Sequence, residues 1–406
     1  MDSPASSAPD VTAPAATAPI NWPAAIMFGV TTLPVLVVLP WFVLTQDVSG
    51  WAWVWALVLL WLNGLGITAG YHRLWAHRAY AAHPALKWFF ALFGGMAVQN
   101  SILIWASMHR VHHKHVDHVD HDPYSAKRGF WYSHMGWMLR DYPSAQLDYA
   151  NAKDLLADPV VAFQHKHYLW FAFGGNIVIP VALGLAYGDV WSFVLIAGFL
   201  RLVVNHHVTF FINSLAHMWG RQPYTTTNTA RDNDFIALLT YGEGYHNYHH
   251  LFQYDYRNGI RWWHFDPTKW LIAACSWIGL SKDLKRVPNF KIQRAMLTAQ
   301  FERAREKLSH SKSNPSRLAE MQHLLETEWQ QFSQTVAEWS KLQGEKLDAA
   351  KLHMAERVHE AQHQLQGRWD ASEMRQRMLK VERALEEALE MQRQRVALLR
   401  MQMATA

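Results

Sequence analysis

Cysteine is nearly absent from this chain, with one residue, Cys275, in 406. That excludes an intrachain disulfide framework and any cluster built on several thiolates. Charge is also scarce: 17% of residues are Asp, Glu, Lys or Arg, against 50% hydrophobic. Such a chain is neither disordered nor a typical soluble protein. No lysine or arginine precedes Arg73, so residues 1–20, rich in Ala, Pro and Ser, lack the basic start of a cleaved signal and read as a disordered leader. The net charge of +5 is spread through loops and a mixed-sign tail without forming a block. Nucleic acid is therefore excluded as a partner, and membrane lipid headgroups or a phosphorylated substrate fit better.

The mean hydropathy of -0.13 conceals two unlike parts, an apolar front to about residue 280 and a polar tail rich in Glu, Gln and Arg. Four apolar segments in the front, residues 22–44, 51–69, 169–187 and 190–211, are long enough to cross a hydrocarbon core. Short links at 45–50 and 188–189 pair them into two hairpins, and only the long segment between the pairs can hold a folded site. Arg73, Arg78, Lys87, Lys153 and Lys166 flank the ends that face this segment, so the positive-inside bias makes that face, and both termini, cytosolic. A fifth apolar stretch, residues 86–105, would put its flanking histidines on opposite faces if it crossed; it reads as interfacial or re-entrant, as does 270–280.

From about Lys291 helix formers dominate, interrupted at Pro315, Gly344 and Gly367. Leu318, Leu325, Phe332 and Trp339 recur every seventh residue, with Met321 and Val336 near the complementary seam. That pattern predicts a coiled-coil or bundle-like tail, a possible route to a homo-oligomer. The expected fold is an all-α membrane protein: a leader over 1–20, a domain of four transmembrane helices with a histidine-rich helical cap on the cytosolic side over 21–285, and a helical tail over 286–406.

Histidine is the residue in surplus. The stretch MHRVHHKHVDHVDHDP, residues 108–123, holds six. His109, His112 and His113 stand at i, i+3 and i+4, and His246, His249 and His250 in GEGYHNYHH repeat that spacing. Such positions share a helix face, so each triplet can aim three imidazoles at one point, and two facing triplets make a metal pocket. His72 and His77 are five apart, about 140° around an α-helix, and cannot converge from a regular one. They would serve two metals, or one would sit where the helix frays. Asn213 and His217 add an i, i+4 pair at the inner end of the fourth segment. A single histidine pair at a membrane interface is commonly a hydrogen-bonding group, whereas three groups on one face point to metal. Imidazole suits Zn, Cu, Fe and Ni alike. Eight or nine of them suffice for two metals with positions left open, more than structural zinc needs. His115, His118, His121 and His134 read as solvated or supporting groups.

Around these residues the chain resembles the membrane fatty acyl desaturases of the stearoyl-CoA, delta-9 type. The resemblance runs from Asn63 to Leu280 through GYHRLWAHRAY, HRVHHKH with DPYSAKRGFWYSHMGW, NSLAHMWG, GEGYHNYHH with FQYDY, and RWWHFDPTKW. It implies a centre of two Fe ions held by His72, His77, His109, His112, His113, His217, His246, His249 and His250, with Asn213 reaching one iron through a water. It also implies a kinked tunnel for an acyl chain, with Trp75, Gln99, Trp105 and Trp262 as tunnel or bend residues. The implied reaction uses O2 and two electrons from a separate donor of ferredoxin, rubredoxin or cytochrome b5 type to make a cis double bond between carbons 9 and 10. Glu243, Asp122 and Asp232 are the acceptors expected to orient the rings. Where eukaryotic acyl-CoA enzymes of this type carry an Arg-Asp pair, this chain has Ser107 and Met108. The acyl carrier is then a CoA thioester, acyl carrier protein or an intact lipid, with Lys127, Arg128 and Arg140 as candidate phosphate contacts. The expected location is a bacterial cell inner membrane, with the active site and both termini cytosolic.

Two other readings compete. A di-iron hydroxylase or alkane monooxygenase would share the histidines, but NSLAHMWG and GEGYHNYHH fit the desaturase pattern. A histidine-rich metal transporter or buffer needs ligands within the spans, where only Arg201, His206 and His207 offer themselves.

Overall fold

The computed structural model describes residues 18–310, 315–360 and, beyond them, 376, 380, 383–384, 386–398 and 401. Residues 1–17 of the expected leader lie outside that set. Ala18 to Ile20 do not behave as a leader: the Ala18 carbonyl accepts from Arg140 Nη1 at 2.7 Å, and Ile20 bridges to Arg140 in antiparallel fashion.

Four helices are long and apolar enough to cross a membrane, Trp22–Thr45, Gly50–Ala76, Trp170–Tyr187 and Val190–Met218. Their polar ends explain their limits. Asn21 caps the first by accepting from Ala24 N at 3.2 Å, and Gly188, at φ +74°, ends the third in the left-handed conformation open to glycine. Asp189 then starts the fourth by accepting from Ser192 N at 3.0 Å, and its other oxygen accepts from Ser49 N at 3.2 Å. One carboxylate thus ties both hairpin turns together at one end of the bundle.

The second and fourth spans run beyond their apolar segments, to Ala76 and Met218, and so carry His72 and His217 inside helices. The last turns of the second span need no lipid-facing side chains because protein covers them; residues 66–76 are all buried. The stretch 86–105 does not span. It divides into the helices Pro84–Gly95 and Ile102–His115 about a turn at 96–101. The first of these lies so close to the second span that a Cβ on Gly66 would sit 2.5 Å from Gly94 N. Residues 270–280 fall largely in the helix Pro267–Trp277, which likewise does not cross. One two-residue antiparallel pair, Ala81–Ala82 with Ser281–Lys282, is the only sheet among the described residues.

The chain divides into two compact units, residues 1–221 with 228–286, and residues 222–227 with 287–406. In the second unit, the helices Asn289–Ser309 and Pro315–Glu360 and the helical residues 386–398 share a core of Phe290, Leu297, Phe301, Leu325, Phe332, Leu389 and Val396. Leu318, Met321 and Val336 pack against it, so the seven-residue seam is filled from within the chain. The side chain of Trp339 and the whole of Gly367 lie outside the described residues. Gly344 does not interrupt the tail. It lies inside a 46-residue helix, where one glycine costs only about 1 kcal/mol.

Candidate metal centre

Nine imidazoles converge in the first unit as two groups. His72, His77, His109, His113 and His249 form one, and His112, His217, His246 and His250 the other, the ligand atoms within each lying no more than 4.8 Å apart. This corrects two expectations. The triplets do not each aim at one point. On an α-helix the i+3 position falls about 60° to one side and i+4 about 40° to the other, so neighbouring rings diverge by about 100°. Each group therefore takes the i and i+4 members of one triplet and the i+3 member of the other.

His72 and His77 do converge, because residues Gly66–Ala76 are π-helical. A π-helix closes i to i+5 hydrogen bonds, which brings residues five apart to one side. His77 N accordingly donates to His72 O at 3.0 Å, and the two rings lie 4.7 Å apart. A backbone distortion of this kind has no periodicity signal for a histidine pair to reveal.

The geometry fits metal ions. With metal to imidazole bonds of about 2.1 Å, neighbouring ligand nitrogens stand about 3.0 Å apart at a right angle and about 3.4 Å apart at the tetrahedral angle. The Nε2 to Nε2 separations are 3.0 Å for His72 and His249, 2.9 Å for His77 and His109, and 3.0 Å for His249 and His113. In the second group they are 3.1 Å for His246 and His217, 3.0 Å for His250 and His246, and 3.3 Å for His112 and His250. Burial, and then the charge each ring would place on its neighbours, holds His77, His109, His113, His246, His249 and His250 well below the usual imidazole pKa. They are neutral, as ligands must be.

Acceptors on the far side of the rings decide which nitrogen bears the proton. Asp122 Oδ1 lies 2.8 Å from His112 Nδ1. Glu243 Oε2 lies 3.0 Å from His72 Nδ1, and Arg73 and Asn258 hold that carboxylate in turn. With protons on Nδ1, the Nε2 lone pairs point at one another, an arrangement that repels unless a cation lies between them. Burial would raise the Glu243 pKa, but Arg73 and then His72 outweigh it and hold the group below the usual range. Asp232 does not orient a ring as expected. It accepts from Asn247 N and Tyr248 N at 2.8 and 3.1 Å and so fixes the start of the helix His246–Leu251.

Sequence reasoning missed a relay to His217. Its Nδ1 lies 2.9 Å from Thr229 Oγ1, and that hydroxyl donates to Asp117 Oδ1 at 2.6 Å. The threonine oxygen is left to accept from the ring. Tyr124, whose hydroxyl is 3.1 Å from His109 Nδ1, was missed too. No local spacing could have linked residues 112 apart in the chain. Replacing Thr229 by valine is expected to lower metal retention about 10- to 100-fold, with Thr229→Ser restoring it, as measured by metal analysis after dialysis. Equal retention in the valine variant would contradict the relay.

The remaining histidines fall outside both groups. His118 and His121 are exposed and pack on each other at 4.4 Å, with His115 beside His121 at 5.4 Å. His134 is not solvated: it is buried between Ser214 Oγ and His207 Nδ1, each at 3.0 Å. Burial, and then His207, pushes its pKa down to about 4. His206 Nε2 donates to the Ala97 carbonyl at 2.9 Å.

A cavity of about 750 Å³ reaches both groups, for His72, His109 and His246 are in its wall. Gln99, Trp105, Asn213 and Arg140 line it as well, and Trp105 stacks on His109 at 4.9 Å. Four expected substrate contacts do not line it. Trp75 is buried with its indole nitrogen 3.4 Å from Asp158, Lys127 is exposed, and Trp262 is 84% exposed. Arg128 lies over the rings of Tyr132 and Tyr142, at 3.7 and 4.5 Å. Residue type alone could not tell a wall tryptophan from a surface one.

The fatty acid desaturase family model matches residues 49–280. The chain is 42% identical over 280 residues to a Schizosaccharomyces pombe protein named probable acyl-CoA desaturase, covering 68% of this chain and 57% of that one. It is 44% identical over 237 residues to acyl-CoA desaturase 1 of Saccharomyces cerevisiae, covering 58% and 46%. Against a Nostoc protein named sn-2 palmitoyl-lipid 9-desaturase it is 36% identical over 276 residues, 66% of this chain and 92% of the other. It thus spans about half the length of the two yeast relatives.

Proposed function

Because this chain belongs to the fatty acid desaturase family, we propose that it introduces a cis double bond, at carbon 9, into a saturated acyl chain in a membrane. The observation that carries this reading is the meeting of two imidazole groups with one largely apolar cavity. In this reading the nine histidines hold two irons, five ligands to one and four to the other, and Asn213 contributes through a water. Bound there, the irons supply the oxidation: with O2, two protons and two electrons from a separate protein donor, two hydrogens leave the chain and two waters form.

The chain's own residues do the rest. Asp122, Glu243 and the Asp117–Thr229 relay keep the protons of His112, His72 and His217 on Nδ1, so the Nε2 of those three rings would face the metals. Trp105 braces His109 while forming cavity wall, and Gln99 donates to Thr209 at 2.9 Å across the same wall. Apolar lining from Met27, Phe28, Ile67, Ile104 and Phe210 excludes water and holds two methylenes near the rings. Arg140 is the cation placed to meet the carrier's charged group. The carrier itself is a CoA thioester or a lipid, as the relatives' names divide on this point. Residues 21–285 form the catalytic domain in this account, with the histidine face on the cytosolic side, and 286–406 a helical appendage. The relatives come from yeasts and cyanobacteria alike, so kinship does not select a bacterial inner membrane.

The test is expression in a desaturase-deficient cell supplied with iron and a competent electron donor, with gas chromatography of membrane fatty acids. A new monounsaturated acid with its double bond at carbon 9 is expected. Saturated acids alone would refute the reading, and hydroxy acids would reassign the site to a hydroxylase.

A further inference from the structure

Arg201 lies inside the fourth span, is 2% exposed, and among the described residues pairs with no carboxylate. An ionised side chain at such depth normally marks an ion path or a proton relay, yet every nitrogen of this one is engaged otherwise. Its Nε donates to Ala197 O at 3.0 Å, Nη1 to Asn63 Oδ1 at 2.9 Å and Nη2 to Asn176 Oδ1 at 2.6 Å. The amide nitrogens of those asparagines donate onward, Asn63 Nδ2 to Phe93 O at 2.5 Å and Asn176 Nδ2 to Met96 O at 2.9 Å. His206 takes the next carbonyl, that of Ala97.

Those carbonyls belong to the end of the helix Pro84–Gly95 and the turn after it. A helix end leaves its last carbonyls without backbone donors, and at membrane depth no water replaces them. Each asparagine can satisfy one carbonyl, but its own amide oxygen then needs a donor, and one guanidinium serves both. The positive charge also sits where the helix dipole is negative.

The turn so held is strained. Val98 has φ +52° and Asn100 φ +73°, the left-handed region that a β-branched residue rarely enters. Such conformations persist where surrounding contacts over-determine them. Here Tyr168 Oη accepts from Asn100 N at 3.0 Å, and Gln164 Oε1 accepts from Ile102 N at 3.1 Å. Val98, Gln99 and Asn100 are all wall of the cavity that reaches the two histidine groups.

We propose that Arg201, acting through Asn63 and Asn176, is a positioning residue that fixes the turn 96–101 against the acyl chain and so sets which carbons stand opposite the metals. This rests on the desaturase reading for its chemistry, while the clamp itself is a property of the fold. The experiment compares full-length wild type with Arg201→Met, Arg201→Lys and the milder Asn176→Ala. Two readouts are taken: double-bond position by mass spectrometry of product adducts, and amide hydrogen exchange over residues 94–103. In Arg201→Met and Asn176→Ala the share of off-position isomers is expected to rise at least about tenfold, with exchange faster at 97–102, metal content unchanged, and Arg201→Lys intermediate. If Arg201→Met does not accumulate, Asn176→Ala decides. An unchanged isomer distribution, or unchanged exchange at 97–102, overturns the proposal. If wild type makes no double bond, the desaturase reading falls, and the exchange readout alone supports or overturns the clamp.

Discussion

Replacing His112 by alanine is expected to abolish desaturation, a loss of at least about a hundredfold, while His118→Ala stays within about twofold of wild type. The two residues sit six apart in one histidine-rich run, so composition gives them equal standing. Their surroundings do not. His112 is buried, its Nδ1 is 2.8 Å from Asp122 and its Nε2 is 3.3 Å from that of His250. His118 is exposed and packs at a tilt against His121. Outer partners of metal ligands alone are worth about 10- to 100-fold in affinity or activity, and a ligand is worth more. Metal content should follow activity, falling in His112→Ala and holding in His118→Ala. Equal losses from both substitutions would refute the division of the run into ligands and bystanders.

The second large effect is expected at Arg73, which is 1% exposed. Its guanidinium meets Glu243 Oε1 at 2.9 Å and Asp266 Oδ1 at 3.0 Å, and donates to the Tyr256 carbonyl at 2.7 Å. Arg73→Met removes the cation that the two buried carboxylates share, leaving Lys269 as the cation beside Asp266, and breaking such a pair costs about 3–5 kcal/mol. Glu243 is also the acceptor beside His72, so the damage reaches the first histidine group. Detergent-solubilised Arg73→Met should unfold well below wild type and retain little metal, whereas Arg73→Met with Glu243→Gln should recover part of the stability. A melting temperature within about 2 °C of wild type would contradict this account of the ion cluster.

Much of the molecule was legible in the sequence because long-range order happened to follow from short-range pattern. Apolar length located the four spans, the short links paired them, and the spacing of His109, His112 and His113 and of His246, His249 and His250 placed three rings on one helical turn. Pattern failed where backbone geometry departed from the α-helix. The five-residue gap between His72 and His77 looked incompatible with one metal, and the π-helical turn made it compatible. It failed again where the partner was distant in the chain: Thr229 with Asp117, Asn63 and Asn176 with Arg201, and Thr68 with Thr268 at 2.7 Å leave no periodic trace. Tryptophan was the least informative residue type. Trp105 lines the cavity, Trp75 is buried away from it and Trp262 is exposed, and all three carry the same apolar ring.

The central claim is that two groups of imidazoles hold two irons, and metal analysis of the purified full-length protein, kept anaerobic and paired with Mössbauer spectroscopy, tests it most directly. Two irons per chain are predicted, in two distinguishable environments because five histidines form one group and four the other. One metal per chain, or zinc filling both positions in iron-replete cells, would contradict it.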